Sequence, residues 1–374
     1  HIKFVFMEDN TLRNEPLTAE EQKRFEQEEQ DEVLNAVPPS DIIAFTEQRS
    51  CADILRMYES KQLDIQPDFQ RGDVWNSTSQ TLFIDSLMKQ LPIPSLCISL
   101  DISTQKRMVI DGLQRIRTII KFLGKNAEKE YRLAKSNAVD QRISGKLVSQ
   151  IKAENPELYS IVENVTLPVT ILRCDYSQKT HMQYLYQIFH RLNSGGNKLY
   201  NQEIRNCIYQ GSLNTFLKSY VRGERWLTFF AITTKNVEKA RFRYEEQLLR
   251  FFAFYYDLDN YKGSLASFLN EYMEDHKTSL ETQIEEYSDL IDKTIEIAGK
   301  ISALSTSISV REAVMIGVAK NADNLDNKSV DELNALYRKL LQEPIFSTDE
   351  LKEGLSSKEK VKERINQAII TFNA

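Results

Sequence analysis

The 374-residue chain is poor in cysteine and histidine, with four of each. No two cysteines have the C-x-x-C spacing of metal knuckles and redox sites, and all four lie far apart. A zinc knuckle and a disulfide framework are therefore both disfavoured. The cysteines are Cys51, Cys97, Cys174 and Cys207.

Long apolar runs are also absent. No run approaches the roughly 20 residues that a membrane-spanning helix needs, and the start lacks the pattern of a signal peptide. We therefore expect a cytoplasmic protein. The chain begins at His1 instead of a methionine, which indicates a cloning remnant or an upstream region. Its length and ordinary apolar fraction of 41% predict an α/β core plus a second lobe.

The net charge of -6 argues against a uniformly basic, nucleic-acid-coating surface. Acidic residues concentrate between Glu20 and Glu32, where Phe25 is the only large apolar residue. We therefore interpret residues 1–48 as an acidic, partly ordered leader. Cations concentrate between Lys106 and Lys135, including Arg117, Lys121 and Lys125. That stretch is suited to bind phosphate. For the lysines alone, an ordinary solvent-exposed helix face is an equally good interpretation.

Periodicity predicts a small core of strands and helices followed by an almost wholly helical region from Asn201 onward. We predict the core over 49–200 and the helical lobe over 201–374. The predicted elements are a helix at 50–60, a strand at 63–65, a helix capped by Ser77 or Ser79 that stops at Pro92, strands at 95–100 and 107–110, a helix after Gly112, a strand at 167–172 and a helix at 182–192.

The pair Asp111-Gly112 marks a strand-to-helix junction. A helix N-terminus binds anions through its open N–H groups, and a glycine there lets a phosphate approach the backbone. Arg115 is suited to grip phosphate oxygens, and Asp111 to hold Mg²⁺. The residues alone slightly favour another interpretation, in which Asp111 is the N-cap, Gln114 completes a capping-box-like exchange and Arg115 pairs with a core carboxylate.

Two further stretches combine arginine and amide side chains with glycine or proline. In the first, Gln70 and Arg71 project from a loop stiffened by Pro67. In the second, residues 193–196 read Asn-Ser-Gly-Gly after a helix, which is usually a C-cap and otherwise a phosphate nest. His190, on the same helix, is a packed or surface residue more often than a catalytic base.

Together the three stretches resemble the family called domain of unknown function 262, the GmrSD-type restriction N-terminal domain, in the ParB/sulfiredoxin-like group. Its hallmarks are a P-x-F-Q-R-x-x-V-W loop, a strand ending in D-G-Q-Q-R and an F-x-R-x-N-x-G-G helix end. The matching segments are Pro67-Asp68-Phe69-Gln70-Arg71-Gly72-Asp73-Val74-Trp75, Asp111-Gly112-Leu113-Gln114-Arg115 and Phe189-His190-Arg191-Leu192-Asn193-Ser194-Gly195-Gly196. Glu203-Ile204-Arg205-Asn206 also resembles family positions.

The resemblance implies an α+β fold, with a small ParB/sulfiredoxin-like mixed-sheet core and a large all-helical C-terminal lobe. It also implies bacterial defence against phage or modified DNA, through binding or hydrolysis of ATP, GTP or CTP with Mg²⁺ and control of a separate nuclease or effector. By matching position, the catalytic residues would be Asp111, Gln114 and Arg115, with Asp111 holding the metal. The nucleotide-binding residues would be Gln70, Arg71, Gly112, Asn193, Gly195 and Gly196.

Leu113 replaces the first glutamine of the usual D-G-Q-Q-R and removes an amide that could touch nucleotide or position water, so the resemblance supports binding more than hydrolysis. Tyr200 stands where the family often has a capping serine, and Asn201 is an alternative cap. The last histidine is His276, so we do not expect this chain to cut DNA with a histidine-rich nuclease domain. Two alternatives stay open: a DNA-sensing module that uses Arg117, Lys121 and Lys125, and a degenerate scaffold. Any homo-oligomer would form through the globular surface, because no heptad seam is present.

Overall fold

The structure is a computed structural model of the whole chain. It describes residues 20–21, 23–25, 27–28, 38–65, 75–125, 131–192 and 199–374. Gln70, Arg71, Asn193, Gly195 and Gly196, five of the predicted nucleotide-binding residues, lie outside the described residues.

The chain divides into two compact units. One comprises residues 36–199, and the other combines residues 200–374 with the N-terminal segment up to residue 35. The predicted leader, 1–48, thus contains the start of a strand in the first unit as well as residues assigned to the second. The domain boundaries drawn from the sequence stay a prediction.

A five-stranded mixed sheet organises the unit 36–199. The spatial order is β1-β5-β3-β4-β2, in which the β1/β5 and β3/β4 pairs are antiparallel and the β3/β5 and β2/β4 pairs are parallel. The strands are β1 (Ile43–Ser50), β2 (Leu63–Asp64), β3 (Leu96–Asp101), β4 (Arg107–Asp111) and β5 (Thr166–Cys174).

Six helices accompany the sheet within the described part of this unit: α1 (Cys51–Glu59), α2 (Ser77–Met88), α3 (Leu113–Leu123), α4 (Val148–Glu154), α5 (Pro156–Asn164) and α6 (Lys179–Leu192). The apolar sides of α1, α2, α3 and α5 form one core with the sheet. Ile116 and Ile119 of α3 are fully buried in that core, which fixes the helix that follows Asp111-Gly112.

Side-chain caps determine where two of these helices begin. Ser50 accepts a hydrogen bond from the Asp53 N–H and starts α1, as the pattern predicts. The cap of α2 is Asn76, which accepts from the Ser79 N–H, so the prediction of Ser77 or Ser79 as the cap is wrong by at least one residue. Asparagine caps as well as serine does, and the sequence offers both in succession.

The second unit consists of helices joined by turns and loops, with no strand among its described residues. Its α-helices are α7 (Asn201–Ile208), α8 (Ser212–Tyr220), α9 (Glu224–Phe229), α10 (Thr234–Lys239), α11 (Arg243–Asp257), α12 (Leu265–His276), α13 (Glu281–Ala298), α14 (Ile308–Lys320), α15 (Ala322–Leu325), α16 (Val330–Leu341) and α17 (Lys358–Phe372). Short 3₁₀ turns lie at Leu258–Asn260 and Pro344–Phe346.

Helix α14 is the centre of this unit, because almost its whole circumference is buried. Its Gly317 lies against α17 so closely that a Cβ atom would come within 2.8 Å of the Ala368 carbonyl carbon. The observed architecture is thus α+β, a mixed sheet with many helices, as predicted. No helix among the described residues is long and apolar enough to cross a membrane.

Candidate functional site

The strand-to-helix junction at Asp111–Arg115 lies at the end of β4. Gly112 adopts a left-handed backbone conformation with φ 94°, which a residue with a side chain adopts only under strain. A Cβ atom there would lie 2.3 Å from Leu96 Cδ2. Both the turn and the space beside it therefore require glycine, and α3 begins immediately afterwards at Leu113.

A register shift in the sheet lies directly opposite this junction. Asp111 pairs with Cys97 across β3 and β4, and the irregularity falls between Cys97 and Ile98. Bulges of this kind change the direction of side chains at a strand end and recur beside active sites. The Cys97 thiol is no candidate nucleophile, since burial, with a contribution from the Asp111 charge, raises its pKa to about 12.

The N-terminus of α3 has no side-chain cap among the described residues. Its first internal backbone hydrogen bond is donated by the Ile116 N–H to the Gly112 carbonyl. The capping interpretation is therefore wrong, because Gly112 and not Asp111 is the N-cap residue. Gln114 does not complete a capping box either, since its Oε1 accepts from the Trp75 N–H at 3.4 Å.

Arg115 folds back over the junction. Its Nη2 donates to Asp111 Oδ2 at 2.9 Å and approaches the Ser95 carbonyl at 3.4 Å, and its Nη1 donates to the Pro94 carbonyl. Arg115 therefore pairs with the partly exposed carboxylate of Asp111, whereas the interpretation from the residues alone had it pair with a core carboxylate. The planar guanidinium of Arg115 carries several N–H donors, so one side chain can bind both the segment before β3 and the end of β4.

The charges at the junction are unequally exposed. The Arg115 side chain is 12% exposed, whereas that of Asp111 is 41% exposed. Burial lowers the pKa of Arg115, and the neighbouring Asp111 carboxylate opposes that shift. Asp111 therefore presents a carboxylate to solvent beside the open N–H groups of α3, while Arg115 stays in the wall behind it.

Asp111 is suited to hold Mg²⁺ only if phosphates of a bound nucleotide and water supply the other metal ligands. Among the described residues no group of three or more histidine, cysteine, aspartate or glutamate side chains could hold a metal ion. Magnesium is commonly bound through one or two carboxylates together with substrate phosphates and water. A single accessible carboxylate fits that mode.

Two of the three sequence stretches meet at this junction. Trp75, at the end of the first stretch, is tied to Gln114 and packs edge-on against Phe83, with ring centroids 5.5 Å apart. Helix α6, which leads to the third stretch, contacts β4. Leu113 packs at the edge of the core, so the residue that departs from the family pattern contributes apolar contact.

The predicted DNA-binding cations lie along α3 but differ in exposure. Arg117 and Lys121 are half-buried, and only Lys125, just after the helix, is exposed. Burial lowers the pKa of Arg117, opposed by Tyr58, and burial also lowers that of Lys121. The three cations therefore differ in how accessible they are to a duplex.

The family-like positions Glu203 and Arg205 are buried in the helical unit. Arg205 donates to Asn270, Gln202 and Glu246, at 2.9 to 3.1 Å. Helix α7 begins at Asn201, with Tyr200 and not Asn201 as its N-cap. We therefore assign this motif to packing of the helices.

Sequence reasoning missed the carbonyl oxygens of Pro94 and Ser95, which accept hydrogen bonds from Arg115. Every residue carries a backbone carbonyl, so the residue type does not reveal which carbonyl accepts a hydrogen bond. The prolines between α2 and β3 indicate only an irregular segment there.

Comparison with known proteins bears on this site. No curated protein matches the chain. No solved structure matches it either. Residues 51–210 match the family described as GmrSD restriction endonuclease, N-terminal domain, a range that contains all three sequence stretches and the junction. Residues 51–210, about two fifths of the chain, are therefore similar to the GmrSD restriction endonuclease N-terminal domain family.

Proposed function

We propose that the chain is a nucleotide-binding regulatory module of a bacterial anti-phage or modified-DNA restriction system, acting in the cytoplasm. The family match over residues 51–210 supports the link to restriction. The observation that most supports nucleotide binding is the uncapped N-terminus of α3, which follows a left-handed Gly112 beside the exposed Asp111 carboxylate. Such a helix end is suited to bind phosphate. A ParB/sulfiredoxin-like relationship of the sheet is part of this proposal.

In the proposed mechanism, the N–H groups of Leu113, Gln114 and Arg115 bind phosphate oxygens of ATP, GTP or CTP. Asp111 would hold Mg²⁺, which would supply positive charge to neutralise the phosphates. Arg115 acts chiefly as a positioning residue, because its guanidinium donors already hold Asp111 and the segment before β3. Gln70, Arg71, Asn193, Gly195 and Gly196 complete the site in the proposal.

We further propose that the bound nucleotide controls a separate nuclease or effector protein. Slow hydrolysis is the less supported extension, because Leu113 supplies packing where the family pattern has an amide. Gln114 is the remaining amide at the junction, and its Oε1 already accepts from Trp75.

Calorimetric titration with ATP, GTP and CTP, each with Mg²⁺, tests the proposal. We expect the wild-type chain to bind at least one nucleotide, and the Asp111→Ala, Arg115→Ala double variant to lose binding. Arg142→Ala is the matched control, because it removes another Arg–Asp pair, with Asp140 at 2.6 Å, from the same unit. Equal binding by the wild type and the double variant would overturn the proposal.

The alternative proposal is a DNA-sensing module without nucleotide chemistry, supported by the cations of α3. It predicts duplex binding that weakens with salt and with neutralisation of Arg117, Lys121 and Lys125. Among these, Lys125→Ala is the cleanest variant, because its side chain is exposed. If neither nucleotide nor DNA binds, a degenerate scaffold that co-purifies with its partner is the remaining proposal.

A further inference from the structure

The described residues between 20 and 28 lie on the helical unit and are held there as a bound peptide would be. We call them the strap; its described residues, 20, 21, 23–25, 27 and 28, have helical backbone. Two of its glutamates, seven residues apart, bind two separate clusters of backbone N–H groups. Neither cluster belongs to the junction at Asp111–Arg115.

Glu21 closes the N-terminus of α14 and is 4% exposed. Its carboxylate accepts from the backbone N–H groups of Ile308 and Ser309, both at 2.9 Å, and from the Ser307 hydroxyl at 3.0 Å. Ser307 caps the same helix through the Val310 N–H. The strap thus supplies the anion that this helix end favours.

Glu28 binds the second cluster, in the turn before α17. Its carboxylate accepts from the backbone N–H groups of Leu355 and Ser356, both at 2.8 Å, and from the Ser356 hydroxyl. Between the two glutamates, Phe25 is buried, with the Arg250 guanidinium 4.2 Å from its ring centroid. The contact pattern is therefore Glu at one position, an aromatic four residues on and Glu three residues later.

The surface beneath the strap is cationic. Arg250 and Arg364 are buried, and Glu312 accepts from Arg250 at 2.6 Å. Glu21 interacts electrostatically with Arg364 and with Arg311, whose pKa burial lowers to about 10. Arg364 Nη1 has no hydrogen-bond partner within the described residues. Glu312 offsets the charges of Arg250 and Arg364, and Glu21 offsets those of Arg364 and Arg311. Removing Glu21 therefore leaves excess positive charge beneath the strap, which favours an anionic occupant of this groove.

We propose that the strap occupies a peptide-binding groove of the helical unit, and that an acidic helical segment of a partner protein with the same Glu, aromatic, Glu spacing displaces it. Backbone N–H groups and buried arginines would bind the partner's carboxylates, and the Phe25 position would take its aromatic ring. Among the described residues of the strap, Phe25 is the single large apolar side chain buried in the groove. So small an apolar contact favours displacement of the strap. The inference does not depend on nucleotide binding.

Hydrogen exchange of the full-length chain tests whether the strap leaves as a unit. In Glu21→Gln we expect faster exchange at Ile308 and Ser309 and also at Leu355 and Ser356, which Glu28 binds. Glu20→Gln is the matched control, because Glu20 is an exposed carboxylate on the same segment. A change confined to Ile308 and Ser309 would show a fixed cap and overturn the proposal.

A second measurement tests whether the groove binds a separate peptide. A labelled peptide of residues 18–31 is titrated into the full-length wild type and into the Glu21→Gln, Glu28→Gln variant. We expect the variant to bind it about tenfold tighter or more, because its own strap competes less at high effective concentration. A peptide with both glutamates replaced by glutamine should bind neither chain. Binding by the variant that is no tighter than by the wild type would contradict the proposal.

Discussion

Gly112 determines the course of the backbone at the candidate site. The turn from β4 into α3 needs its positive φ, and Leu96 occupies the space that a side chain would need. The sequence predicted a glycine at a helix start, which proved right. It did not predict that Gly112 itself would be the N-cap, because Asp111 is the better capping residue by type.

Gly112→Ala should destabilise the protein by roughly 2–4 kcal/mol, because overlap at Leu96 adds to the cost of backbone strain. Gly145→Ala is the matched control: its φ of 71° is also positive, but its Cβ would lie 3.6 Å from the nearest atom. We expect about 1 kcal/mol there, from strain alone. Urea unfolding measures both, and equal losses would contradict the close contact with Leu96.

The buried thiols predict alkaline destabilisation. Burial is the largest cause that raises the pKa of Cys51, Cys97 and Cys174 from 9.0 to about 12. Between these values the unfolded chain loses the thiol protons that the folded chain retains, so stability falls as pH rises. Each thiol contributes a slope of roughly 1.4 kcal/mol per pH unit.

Cys51→Ala removes the contribution of one thiol to the pH dependence of stability, whatever the effect of the substitution on stability at neutral pH. Urea unfolding at pH 8, 9 and 10 should show a shallower decline for the variant than for the wild type. Parallel declines would show that Cys51 ionises equally in the folded and unfolded chains.

At the scale of elements, sequence periodicity predicted the strands and helices around the junction well, because their apolar spacing reflects one buried side. Helix α3, for example, begins right after Gly112 with Ile116 and Ile119 in the core. The pattern could not predict the sheet order or the irregularity opposite Asp111, which arise from pairing between distant strands. It also could not predict that Arg115 binds backbone carbonyls.

Arg115 should hold the segment before β3 in place. In Arg115→Ala we expect faster amide exchange in residues 91–95, because Pro94 and Ser95 lose their common hydrogen-bond donor. Arg115→Lys should restore this only in part, since an ammonium lacks the planar fork of donors. Exchange mass spectrometry of both variants and of Arg142→Ala measures the effect, and unchanged exchange in Arg115→Ala would contradict the positioning role.

At the scale of the whole molecule, the prediction of an α+β fold holds, since a five-stranded mixed sheet is combined with many helices. The match to residues 51–210 extends into α7, a helix of the second unit. The sequence suggested that Glu203 and Arg205 belong to the family motif, but their burial and partners could only come from the structure, since a charged helix is usually solvated. For residues 1–48 the acidic composition gave no indication that Glu21 and Glu28 bind N–H groups.

Arg205→Ala should cost roughly 3–5 kcal/mol of stability, because it leaves Glu246 and Asn270 without their buried partner. Arg225→Ala is the control: its side chain is 62% exposed and lies 3.7 Å from Asp292, so we expect less than about 1 kcal/mol. Urea unfolding compares the two variants. Similar small losses would show that the α7 network does not stabilise the helical unit.

The central claim, that the N-terminus of α3 binds nucleotide phosphate, is tested most directly by amide exchange with and without Mg²⁺ and the nucleotide that binds. We predict protection of the peptide containing Leu113, Gln114 and Arg115, and its loss in Asp111→Asn. Binding without protection at these amides, or with protection only elsewhere, would contradict the account.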